Sequence, residues 1–124
     1  MANDIKITVA DRAGRKTASS GSKWEPILGY SRAVRSGNII AVTGSVGVNA
    51  DGTYSPSLAD QTRRSLQIIQ AAIEALGGKI ENVIRTRIFV TDVTKWEEVA
   101  GVHGQVFGEI RPARKAGKAA AARA

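Results

Sequence analysis

Between Ser57 and Val93 the apolar residues change spacing once, and that change constrains the fold more than any other feature of the chain. Leu58, Leu66, Ile69, Ile73 and Leu76 recur at helical spacing behind Ser57-Leu58-Ala59-Asp60, which has the form of a capping box, until Gly77-Gly78 stops the run. The pattern predicts a helix of about five turns with Arg63, Arg64, Gln67, Gln70 and Glu74 mostly on its wet side. From 82 to 93 the period drops to two. Ile84, Thr86, Ile88 and Val90 fall on one face of a strand, and Arg85, Arg87 and Phe89 on the other. Thr94-Lys95-Trp96-Glu97 reads as a second capping box, opening a helix lined by Trp96, Val99, Val102, Val106 and Ile110 and ended by Pro112. Helices with one apolar stripe and a strand with one apolar face can bury both only as layers.

Upstream, "IKITVA" (5–10) is a weak strand signal, and "DRAGRKTASSGS" has loop composition. The folded body is expected to begin at Trp24. "GYSRAVRSGNIIAVTGSVG" predicts strands over 30–35 and 38–44 joined at Ser36-Gly37-Asn38, the second nearly all apolar and so central and covered. The order β-β-α-β-α, with a strand–helix–strand crossover that makes a right-handed parallel pair, gives an α+β fold with one mixed sheet under two helices. Such a sheet needs another strand after residue 110. "KAGKAAAARA" (115–124) has no β-branched or aromatic residue, so the C-terminal strands are expected to be missing and the tail to be exposed, mobile or a frayed helix. The chain thus divides into an N-terminal strand and loop (1–23), an α+β domain (24–114) and a basic Ala-rich tail (115–124).

With 124 residues, 43% hydrophobic and 5% aromatic, the chain fits one aliphatic-cored domain. The absence of Cys excludes disulfides, thiolate metal sites and a Cys nucleophile, and the single His103, read as a helix-surface imidazole, excludes a His-based metal cluster. Neither metal nor cofactor is expected. No apolar run reaches the length of a membrane span or signal peptide, which predicts a soluble, cytoplasmic protein. The net charge of +7 is carried by the ends: residues 1–23 hold +3, residues 24–110 hold −1 and residues 111–124 hold +5. Basic ends without interleaved aromatics offer bases no stacking platform, so specific nucleic-acid recognition is not expected.

"GYSRAVRSGNIIAVTG", "QTRRSLQIIQAAIEALGGKIENVIRTRIFVTDVTKWEEV" and "FGEIRPAR" together resemble the Rid (YjgF/YER057c/UK114) family of reactive intermediate deaminases, over about residues 24–114 in unbroken order. The resemblance implies a chorismate-mutase-like α+β sandwich assembled as a homotrimer, with a ligand pocket at each subunit interface. In deaminating members an Arg in a Pro-Ala-Arg turn grips the carboxylate of an imino acid, a Tyr in the first hairpin shapes the pocket, and a Glu on the C-terminal strand positions water. By position the arginine is Arg114, the tyrosine is Tyr30, and Thr43 stands for a pocket Ser before Gly44. A guanidinium fork suits the task because it holds a carboxylate bidentately and stays charged at any working pH. A protonated imine is already electrophilic, so one oriented water and a base suffice.

The chain departs from the family after Arg114, where "KAGKAAAARA" replaces the strand, loop and Glu-bearing strand. "KWEPILGYSRAV" is similar to a branch that has Pro-Ala-Thr where this chain has Pro-Ala-Arg. The composition of the tail fits a shifted reading frame, a truncation or a basic extension. The reading from residues alone makes Tyr30 a half-buried packing residue, Arg85 and Arg87 interface or surface charges, and Glu109 a helix-end acid. The resemblance implies a small-molecule carboxylate ligand and hydrolysis of 2-imino acids to 2-oxo acids and ammonia, with Arg114 catalytic and Tyr30, Thr43 and Arg114 binding substrate. The alternative is a non-catalytic ligand-binding or regulatory homotrimer. Endoribonuclease activity, an older label of the family, ranks third because no second proton-transfer group stands at a recognisable spacing from His103.

Overall fold

The computed structural model describes residues 4–118. Its order is β1 (Thr8–Arg12), β2 (Arg15–Ser19), α1 (Trp24–Leu28), β3 (Ala33–Ser36), β4 (Ile39–Val42), α2 (Leu58–Ala75), β5 (Arg85–Val90), α3 (Trp96–Phe107) and β6 (Ala113–Lys118). The α+β class is as expected, and the architecture beneath it differs in several places. Strands β1 to β4 form an antiparallel sheet in sequence order, and β5 and β6 pair in parallel as a separate two-stranded sheet. One mixed sheet is therefore not what the described residues form, and the parallel partner of β5 is β6 rather than β4.

The row Val9, Ala18, Ala33 and Val42 runs across the four strands on the face that meets α2. Ala18, Ala33 and Ala72 are all fully buried, so small side chains let helix and sheet approach closely, and Leu76, Ile7, Ile40 and Val42 fill in around them. A second cluster, Ile73, Ile80 and Phe107 with Leu66, Ile69, Val83, Val106 and Ile110, ties α2 to α3. Helix α2 starts at Ser57, whose hydroxyl accepts the Asp60 amide at 2.9 Å. It ends at Gly77 (φ 84°), with the Gly78 amide donating to the Ile73 carbonyl.

The segment read as loop after residue 10 is mostly strand. Ala13 and Gly14 both take positive φ in a two-residue hairpin turn, and β2 pairs on both edges. Its Ala18 carries little strand propensity, yet its small side chain suits a strand that must pass under α2. Conversely "NIIAVTG" is not central: β4 is an edge strand whose Ile40 and Val42 pack inward while Ile39 is 72% exposed. The second capping box is also corrected. Lys95, not Thr94, precedes α3 and gives no side-chain cap; Asp92 caps a short 3-10 turn (Val93–Lys95) by accepting the amide and hydroxyl of Thr94. Trp96 and Ile84, expected on inner faces, are 59% and 83% exposed.

The largest correction is at the C-terminal end. Arg111 adopts φ 54° after α3, and Ala113–Lys118 runs beside β5 with six residues in register. Poor strand formers suffice because the pairing is made by the backbone and most of these side chains stay exposed. The expectation for 119–124 lies outside the described residues.

Candidate functional site

Tyr30 and Thr43 come together at the end of the β3–β4 hairpin, and the residue that joins them is Arg32. Gly29 ends α1 in a left-handed turn (φ 76°), and the amides of Gly29 and Tyr30 both donate to the Glu25 backbone carbonyl at 2.9 Å, which sets where Tyr30 leaves the helix. The buried Arg32 donates through Nη1 to the Gly44 carbonyl (2.9 Å) and Ser45 Oγ (3.2 Å), and through Nη2 to the Tyr30 hydroxyl (3.3 Å). Its Nε is buried without a partner among the described residues. The Thr43 amide donates to the Arg32 carbonyl, and its hydroxyl to the Ser31 carbonyl at 2.6 Å.

Glu25, buried in "WEPIL", closes the cluster by accepting the amide and hydroxyl of Ser20 at 3.1 and 2.9 Å. Burial alone would raise its carboxyl. Hydrogen bonds from Ser19 and Ser20 and the nearby Arg32 charge outweigh it and hold the group below the usual carboxylate range. Sequence reasoning missed Arg32 and Glu25. The Tyr30-x-Arg32 spacing, which puts both side chains on one face of an extended segment, was the available signal for Arg32.

Arg114 lies elsewhere, on β6. Among the described residues no hydrogen bond or ion pair joins it to Tyr30 or Thr43. Its register partner is Thr86 on β5, and the Thr86 hydroxyl meets His103 Nε2 at 3.0 Å. His103 is therefore not the surface imidazole expected: it is 8% exposed, with its ring 4.6 Å from that of Phe107. The signal was present, since residue 103 falls four positions after Val99 on the apolar stripe of α3. Burial, then the Arg114 charge, pushes the imidazole below its ordinary pKa and keeps it neutral at pH 7.

Arg114 and Ala116 border a small cavity of about 30 Å³ floored by Ile88, Val90, Trp96, Val99 and Ala100. Ala116 thus stands at the site although the tail was expected to add nothing to it. A larger groove of about 400 Å³ separates α2 from α3, but its polar rim is Arg63, Gln67, Gln70 and Gln105, and Arg63 is paired with Asp60. No residue singled out for chemistry borders it. Among the described residues no group of three His, Asp or Glu is placed to hold a metal ion, and no helix is long and apolar enough to cross a membrane.

Residues 20–123 match the family model described as endoribonuclease L-PSP. A RutC family protein of Pyrococcus horikoshii is 31% identical over 94 residues, 74% of this chain and 75% of that protein. A protein of Dermatophagoides farinae named 2-iminobutanoate/2-iminopropanoate deaminase is 27% identical over 92 residues, 73% of this chain and 72% of its own. Among solved structures, that of a YjgF/YER057c/UK114 family member from Mycobacterium tuberculosis superimposes with a TM-score of 0.81 at 42% identity, covering 89% of this chain and 88% of that one.

Proposed function

The chain belongs to the endoribonuclease L-PSP family of YjgF/RutC proteins, and on that premise we propose that it binds small 2-imino and 2-oxo acids where copies of the chain meet, and hydrolyses 2-imino acids to 2-oxo acids and ammonia. The observation that carries this reading is Arg114. Its guanidinium is exposed at the mouth of an apolar cavity and makes no hydrogen bond or ion pair among the described residues, so its fork is available to a carboxylate. The deaminase name of a relative supports the reaction class.

One chain offers too little enclosure. A cavity of about 30 Å³ has room for about one or two waters, and even a four-carbon imino acid needs several times that. Trp24, Ile27, Leu28, Ile39 and Phe89 are exposed, an apolar surface that a second copy would cover. A closed threefold ring would set Tyr30 and Thr43 of one copy toward Arg114 of the next, and light scattering should then read a single species near three times 13.1 kDa. The non-catalytic alternative shares the Arg114 contact without turnover.

Ammonia release from freshly generated 2-iminopropanoate and 2-iminobutanoate separates the two. The parent should exceed the buffer rate, and Arg114→Ala should lose about 100-fold, the equivalent of about 3 kcal/mol for a charge-assisted contact. Arg114→Lys keeps charge without the fork and should fall between. An Arg114→Ala protein as fast as the parent refutes the assignment.

A further inference from the structure

Arg114 borders the cavity, and two side chains from two other elements, Thr86 and His103, follow it inward beyond the cavity lining with no part in the function proposed above. Arg114 and Thr86 are register partners on adjacent parallel strands, so their side chains leave the sheet on the same face, with strands about 4.8 Å apart. That face is turned to α3. Thr86, Ile88 and Val90 are half-buried while Arg85, Arg87 and Phe89 are exposed, and Arg114 and Ala116 border the same cavity as Ile88 and Val90. From α3, His103 Nε2 reaches the Thr86 hydroxyl at 3.0 Å. Val99, Val102 and Phe107 make the rest of that helix face apolar, and a Val on β5 facing a Leu on α3 would fill the space without burying polar groups.

We propose that Thr86 is the catalytic hydroxyl of the Arg114 site and that His103 is the positioning residue behind it, the two forming a proton relay for water adding to a bound imine. The relay rests on the reading of Arg114 as the carboxylate anchor. The bond inventory closes. With the substrate carboxylate on Arg114, a water oxygen bonds to the carbon of the protonated C=N, and the π electron pair moves to nitrogen. The water proton passes to Thr86 Oγ1 as the threonine's own proton passes to His103 Nε2. The imidazolium returns that proton to the amine nitrogen by the same route, the C–N bond breaks, and the hydroxyl proton leaves with ammonia as ammonium. Protonated imine plus water thus becomes 2-oxo acid plus ammonium, with no further reactant. The neutral state of His103, set by burial and by Arg114, is the state able to accept the proton.

His103 is the chain's single histidine, so its ring protons give one unambiguous NMR signature. The test uses the full chain and 2-oxobutanoate as a non-reacting probe alongside 2-iminobutanoate turnover. Thr86→Val keeps the packing and removes the hydroxyl. It should bind 2-oxobutanoate within about 2-fold of the parent yet release ammonia about 100-fold more slowly, and Thr86→Ser should recover most of the rate. The parent's His103 signals should move on adding 2-oxobutanoate, and should not in Arg114→Ala. A Thr86→Val protein with parental turnover overturns the relay, as do His103 signals unmoved by an oxo acid that demonstrably binds. If the parent releases no ammonia, the hydrolase reading falls; a ligand-dependent His103 shift would then still place Thr86 and His103 at the anion site, and its absence would remove them from it.

Discussion

Replacing Gly47 by Ala tests how the strand end that carries Thr43 and Ser45 is locked to the helix layer. A Cβ on Gly47 would overlap the Gln61 carbonyl oxygen and stand 2.8 and 2.9 Å from Gln61 C and Cα, all backbone atoms of the first turns of α2. Ordinary carbon–carbon contact lies near 3.5 to 4.0 Å, so chain and helix must separate by about 1 Å. They are held against that movement. The Ser65 hydroxyl donates to the Ser45 carbonyl at 2.6 Å, Arg64 Nε donates to the Val48 carbonyl at 2.9 Å, and the Gln61 side-chain amide donates to the Ser55 carbonyl at 2.7 Å. Either the overlap is borne or one of these bonds breaks, at a cost of about 3 kcal/mol. For a domain of this size that lowers the melting temperature by about 12 °C. Gly44→Ala, where a Cβ meets nothing within 4 Å, is the matched control and should stay within about 2 °C of the parent. Thermal melts by circular dichroism read both. A Gly47→Ala protein that melts with the control would show the segment free to slide, and the reasoning would fail.

Deleting residues 115–124 strips β5 of four register partners from Arg87 to Val90, and at about 0.5 to 1.5 kcal/mol for each, the cost should be about 2 to 6 kcal/mol; a melting temperature equal to the parent's would put β6 outside the stable fold. Stability should also fall with pH in two steps. His103 titrates in the fold below its ordinary 6.5, facing Arg114 from β6 and Thr86 from β5, so the unfolded chain binds more protons between the folded-state value and 6.5, and stability drops as pH falls through that window. The carboxyls of Glu25, Asp4, Asp51 and Asp92 are held below their ordinary 4.5 and 3.8, so the stability they add above those values is lost as pH falls through the lower, folded-state ones. His103→Leu should abolish the upper step only, and parallel melting curves for parent and variant between pH 7 and 5 would contradict the burial of a neutral imidazole.

The helix Leu58–Ala75, its Ser57 cap and its Gly77 stop were legible in the chain, as were the turn at Gly37 and the alternation of β5, because each rests on spacing within one element. The family was legible too, since its motifs are runs of local sequence. Pairing was not. Arg15–Ser19 and Ala113–Lys118 look like loop and tail because all their side chains but that of Thr17 lack strand propensity, and only their neighbours β1, β3 and β5 supply the backbone partners that make them strands. For the same reason the apolar "NIIAVTG" promised a central strand and became an edge: apolarity tells that a face is covered, not which edge is paired. The candidate site divides along the same line. Tyr30, Thr43 and Arg114 could be named from motif position, whereas the hold of Arg32 on Gly44 and Ser45, and the placing of Thr86 and His103 beside Arg114, join residues far apart in sequence or on different elements through hydrogen bonds and strand register. Those relations exist only once the layers have packed, because register and burial are set by which elements meet and not by the residues of any one of them.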